Sequence, residues 1–300
     1  MLDPKNIIIV DGGEGADDGE LDDGEILAGD REDETLTISE EKLEEIWQDS
    51  EIILEATNDI TIEDLSDDIL EGSHHAIEFI ADSDNDGSGD FSMNSGDTIQ
   101  ANGSISISGV NLNIGTLETY ATEQDNDEIT LNSTNTVEAE NISTYSGQYP
   151  AADITILSGD DVTVNEQVRG DVLSQQDNLD VGDITIISDR GNITITGLVA
   201  SSSRLELEQP ANAGTIRLRA THGNIMTGKI SSAVEYGDAG DVFVQSGGSI
   251  TIDEKIVSSA GNTGNGGSIQ LIAEDDITVT NSIRAGGLMN LIHLIIKQGM

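Results

Sequence analysis

The chain has 300 residues and a formal charge of -46, from 12 Lys and Arg against 58 Asp and Glu. So few cations exclude a nucleic-acid phosphate backbone as partner and disfavour an anionic membrane surface, whereas divalent cations would be drawn in. There is no cysteine, which removes disulfides, thiol nucleophiles and thiolate metal sites together.

The opening "MLDPKNIIIVD" has neither the basic nor the apolar region of a signal peptide, so none is expected in this chain. Residues 1–50 are read as a leading coil. Ile7 and Ile9 point inward, the acidic excursion "GGEGADDGELDDGE" follows, and a strand resumes with "TLTI" at Thr35. The next stretch, "SEEKLEEIWQD", predicts a helix with Ser39 as N-cap and glutamates in its first turn. Its apolar face, Leu43, Ile46 and Trp47, would cover the flank of whatever the strands build.

From residue 51 to 285 the same phrase returns nine times. First strands begin at Glu51, Ala76, Ser104, Glu128, Asp153, Asp183, Thr215, Asp241 and Ser268, between 24 and 32 residues apart. The second and fourth positions of each are apolar, from Ile52 and Leu54 to Ile269 and Leu271. A second strand opens seven to nine residues later in eight of the nine units, as at Asp59, Asn111, Asp161 and Asn192. The unit at Ala76 is the exception, its second strand being delayed to Asp90 by an insertion. Third pieces follow at Ile142, Val168, Val199, Ile230, Ile256 and Ile283.

Short strands with one apolar face, repeated at a near-constant period, bury that face by stacking each unit on the one before. The predicted fold is all-β: a right-handed parallel β-helix, about three short strands per coil, with one short helix in an N-terminal loop. At roughly 4.8 Å per coil the rod is on the order of 45–50 Å long. Residues 286–300 are read as a truncated or irregular tail, in which Leu291–Ile295 would open another coil with Ile292 and Leu294 inward. The run "LIHLII" is far short of the roughly 20 apolar residues of a membrane span. Neither end shows a cap, so end-to-end association and membership of a longer product are expected.

The phrases "EIILEATNDITIED", "IEFIADSDNDGSGDFSMNSGDTIQANG" and the recurring "GDITI" and "GNITITG" resemble the filamentous-haemagglutinin-like exoproteins of two-partner secretion, in the repetitive form common in cyanobacteria. The resemblance covers nearly the whole chain. It implies a β-helical shaft of an adhesin, exported by an outer-membrane transporter to the cell surface or beyond, with an extracellular glycan or protein as target. The asparagine-proline motifs of the family's secretion domain are missing, the only prolines being Pro4, Pro150 and Pro210. By this resemblance the chain is a fragment lacking that domain.

One local motif carries possible chemistry. In "DSDNDGSGD", Asp82, Asp84 and Asp86 followed by Gly87 have the spacing of a calcium loop, with Ser88 and Asp90 as further oxygen donors. Met93 stands where a bidentate glutamate belongs, so the motif fits either a weak calcium site or a solvated acidic loop. No cofactor is required. Asp160-Asp161 and His222-Gly223 suggest the acids of a polysaccharide-degrading β-helix, but their register places them in turns. Arg169-Gly170-Asp171 spells an integrin-type tripeptide and is read as a turn. The outward threonine column, Thr163, Thr194, Thr251 and Thr278, is broken by Glu138 and Met226. The expectation is a structural and interaction protein and no enzyme. A calcium-dependent carbohydrate-binding surface and a polysaccharide lyase or hydrolase are the alternatives.

Overall fold

The computed structural model describes residues 4–13, 15–21, 24–26, 34–121, 127–147, 149–172, 180–203, 211–287 and 294–298. The chain is a parallel β-helix of nine coils, with an 11-stranded sheet of first strands and a 15-stranded sheet of second and third strands. The nine first strands run from Ile52–Glu55 to Ile269–Ala273. Among the described residues, no helix is long and apolar enough to cross a membrane.

The register follows from the repeat. Ile129 pairs with Ile105 below and Ile154 above, and Ile154 in turn with Ile184. All four are fully buried. β-branched side chains suit this arrangement because they pack well on a pleated surface, and each one fully buried contributes about 1.5–3 kcal/mol. Second and third strands join at a corner in the middle coils, as in Val137–Ser146 and Ile193–Ser203, and separate again in Ile250–Ile252 and Lys255–Ser259. Third strands also occur in the first two coils, at Ile69–Glu71 and Thr98–Ala101.

The glycine of "GDITI" has a steric cause. A Cβ on Gly214 would lie 2.2 Å from the carbonyl oxygen of Gly182, and one on Gly240 would lie 2.1 Å from that of Gly214. The coil beneath occupies the space a side chain would need.

The leading segment differs from the single coil expected. Asn6–Val10 pairs with Ile60–Ile62 on one side and with Thr35–Ser39 on the other, so the later strand lies outermost. Glu25–Ile26 pairs with Ile53 and Leu54 in the other sheet. The expectation of a bare N-terminal edge is also corrected. Asp17 Oδ2 accepts the Thr37 N–H at 3.0 Å, and Asp18 Oδ1 accepts that of Ser39 at 2.7 Å. The acidic excursion thereby satisfies donors that an edge strand would leave free.

The helix Glu40–Trp47 forms as its caps dictate, with the Ser39 hydroxyl accepting from the Lys42 N–H at 3.3 Å. Leu43 and Trp47 are fully buried in the common core, and Ile46 packs against it half-buried. The indole N–H of Trp47 donates to the His75 carbonyl at 2.8 Å. Its ring lies against Gly72, where a Cβ would come within 2.1 Å of it.

At the other end the expected strand is displaced. The described strand, Leu294–Gln298, sets Leu294 opposite Ile269 and Ile296 opposite Leu271, two residues away from the register expected, and Leu291 lies outside the described residues. Ile292 lies outside the described residues.

Two measurements check this packing. Gly214→Ala will lower unfolding stability in urea by about 1–3 kcal/mol through overpacking, whereas Gly19→Ala, with nothing within 4 Å of the new carbon, will leave it unchanged. Burial pushes the Glu40 carboxyl up to about 7, with repulsion from Asp67, Glu44 and Asp11 adding to it. A carboxyl raised in the folded state binds more protons there than in the unfolded chain, so stability falls as pH climbs from the unfolded value through about 7. Glu40→Gln will therefore raise the melting temperature at pH ~8 and leave it unmoved at pH ~4.

Candidate functional site

The Asp82 loop leaves the rod between the strands Ile77–Ile80 and Phe91–Ser92. Asp82 and Asn85 adopt left-handed backbone, at φ 56° and 57°, which short Asx side chains tolerate. Carboxylate oxygens of Asp82, Asp84 and Asp86 lie within 4.8 Å of one another. Asp82 is buried and the other two are exposed. Part of Asp82's capacity is already used, since Oδ1 accepts the N–H groups of Gly87 at 3.0 Å and Ser88 at 3.4 Å. Asp84 Oδ1 accepts the Asp86 N–H at 3.2 Å.

Asp90, the fifth expected ligand, is engaged elsewhere. Its Oδ1 accepts the backbone N–H of Asn111 at 3.0 Å and the side-chain amide of Asn111 at 2.8 Å. Its own N–H donates to Asp59 Oδ1 at 3.0 Å.

Asp90 thus belongs to a ladder that sequence reasoning passed over. In most coils the residue before the second strand bonds to its equivalent in the next coil. Asn192 donates its N–H to Asp161 Oδ1 at 2.7 Å, and Asn192 Oδ1 accepts the Asn224 N–H at 2.9 Å. Asn224 Oδ1 accepts from Ser249 at 2.8 Å. A second ladder stands before the first strands, where Asp183 donates to Asp153 Oδ1 at 2.7 Å and Thr215 to Asp183 Oδ1 at 2.6 Å. Burial lifts the Asp153 carboxyl above its usual range; the Asp183 N–H opposes this and the Asp183 charge reinforces it. The signal was in the phrase all along: Asp or Asn recurs directly before "ITI".

Of the carboxylates considered for catalysis, that of Asp161 is tied into this scaffold, and Asp160 bonds through its backbone. Asp161 is a ladder residue, while His222 is exposed with Nδ1 2.7 Å from the Asp189 carbonyl oxygen. Both lie at the turn between first and second strands, as their register required. The threonine column also stands as read, with Thr194 opposite Thr163 and Met226 opposite Thr194.

Arg169-Gly170-Asp171 is corrected. It lies within the strand Val162–Val172, not in a turn, and Arg169 and Asp171 are buried. Arg169 Nε forms an ion pair with the Asp171 carboxylate, which also accepts the Ser202 hydroxyl at 3.2 Å. The strand continues past the tripeptide because Val172 packs with Ala151 and Val181 in a small second core.

No protein-family model, curated protein or solved structure matches the chain.

The ladder has a measurable strength. Asn192→Ala leaves Asp161 without its side-chain donor and Asn224 without its acceptor. Chemical denaturation will register a loss of about 1–3 kcal/mol.

Proposed function

We propose that this chain is a length of shaft from an exported, adhesin-like protein, which holds loops at fixed intervals along a rigid rod. The observation that supports it best is the unbroken pairing of nine successive first strands, maintained across an insertion such as the Asp82 loop. A scaffold whose register ignores loop length can vary what it displays without altering what displays it. Location at or beyond the outer membrane, passage through a two-partner secretion transporter, and an extracellular glycan or protein target come from the sequence resemblance. Catalysis forms no part of this reading. The convergence of Asp82, Asp84 and Asp86 favours a second reading, a carbohydrate-binding surface that responds to calcium.

Fused behind a two-partner secretion domain and expressed with its transporter, the chain is expected to reach the cell surface, where external protease digests it. Retention inside the cell, or cleavage of polyuronates by the purified chain, overturns the shaft reading. Calcium separates the two readings. A saturable rise in melting temperature that Asp84→Ala abolishes supports the second, and a gradual rise shared by both proteins indicates charge screening alone.

A further inference from the structure

The outer face of the first-strand sheet is poor in acids. Outward positions of seven successive first strands, from Ile105–Gly109 to Ile269–Ala273, carry Ser, Thr, Asn, Gln, Leu, Ile, Phe and Arg and no carboxylate. This occurs in a chain with 58 acidic residues. Two of those positions are Arg217 and Arg219, which lie two residues apart on one strand and so share a face. Both are exposed, and among the described residues neither has an ion-pair partner. The Arg217 guanidinium rests over the ring of Phe243, 5.2 Å from its centroid, which holds it in place. Beside them is a depression of about 230 Å³ whose lining includes Gln245, Gln270 and Ile272.

We infer that this face binds a glycan carrying an isolated carboxylate, with Arg217 and Arg219 taking the acid and the neighbouring amides and hydroxyls taking the sugar. Two guanidiniums without an ion-pair partner among the described residues fit a carboxylate geometrically and electrostatically. Packing this face against its copy would bury those arginines opposite no acid, which is strongly unfavourable. A densely charged partner, including the acidic flank of another copy, is repelled by the net charge of -46. A sparsely charged ligand is repelled less and meets Arg217 and Arg219, with Asp183 and Asp241 at the ends of the adjoining strands. An extended peptide gains little here, because the backbone groups of inner strands are already paired within the sheet and offer no edge to extend. Amide and hydroxyl side chains both donate and accept, as sugar hydroxyls do. The inference does not depend on export.

Isothermal titration calorimetry of the purified chain tests it with a xylo-oligosaccharide bearing one glucuronic acid. The expected result is saturable binding, weakened about tenfold or more when the acid is absent and likewise in Arg217→Gln/Arg219→Gln. Both arginines are exposed, so the variant should retain the parent's circular dichroism and melting temperature. Equal binding of the unsubstituted oligosaccharide, equal binding by the double variant, equal binding of a glutamate-containing peptide of the same charge, or no binding at millimolar ligand overturns the inference.

Discussion

Each residue of a coil lies against its equivalents above and below, and this stacking of like upon like governs the rest of the molecule. For isoleucine the constraint is favourable, since a column such as Ile105, Ile129, Ile154 and Ile184 is a continuous dry core. For carboxylates it is unfavourable, because a column of aspartates repels itself. From Asp161 onward the second-strand ladder eases the conflict by mixing, whereas Asp183 stays stacked on Asp153 and its charge helps to lift that carboxyl. Asp161 is followed by Asn192, Asn224 and Ser249, so a carboxylate receives an N–H and an amide from above, not another charge. A chain this acidic can stack because its acids in the ladders act as acceptors for backbone donors.

The N-terminal end applies the same chemistry to a different problem. A terminal strand has unpaired donors on one side, and here Asp17 and Asp18 take them. Below the last core layer, Leu43 and Trp47 supply the apolar cover that another coil would have given. What looks like surplus charge in the sequence is partly a sealing device.

Alternation made the coils legible. Two apolar positions per first strand, nine times over, leave one arrangement in which all are buried, and the strand limits and inward pairs follow from it. Legibility failed where local pattern was silent. Thr35–Ser39 and Asn6–Val10 have the same alternating face, and nothing in either tells which lies outside. The tripeptide Arg169-Gly170-Asp171 is made of turn-forming and charged residues, and only the packing of Val172 with Ala151 and Val181 explains its burial. Near the C-terminus "LIHLII" is apolar almost throughout, so alternation could not fix the register, and the pairing is shifted by two residues from that read. The three convergent aspartates were visible as spacing. The ladder role of Asp90 was not visible, because a ladder aspartate and a ligand aspartate look alike in one dimension.

The pairing of Asn6–Val10 between Thr35–Ser39 and Ile60–Ile62 has a consequence for the order of assembly. A repeat rod can grow by adding each turn to a finished one, but here the earlier strand lies between two later ones. Its pairing with Ile60–Ile62 spans about 50 residues, roughly twice the usual coil spacing, and closing that longer loop costs more entropy. Asn6–Val10 is therefore locked in place only after both Thr35–Ser39 and the following coil have formed.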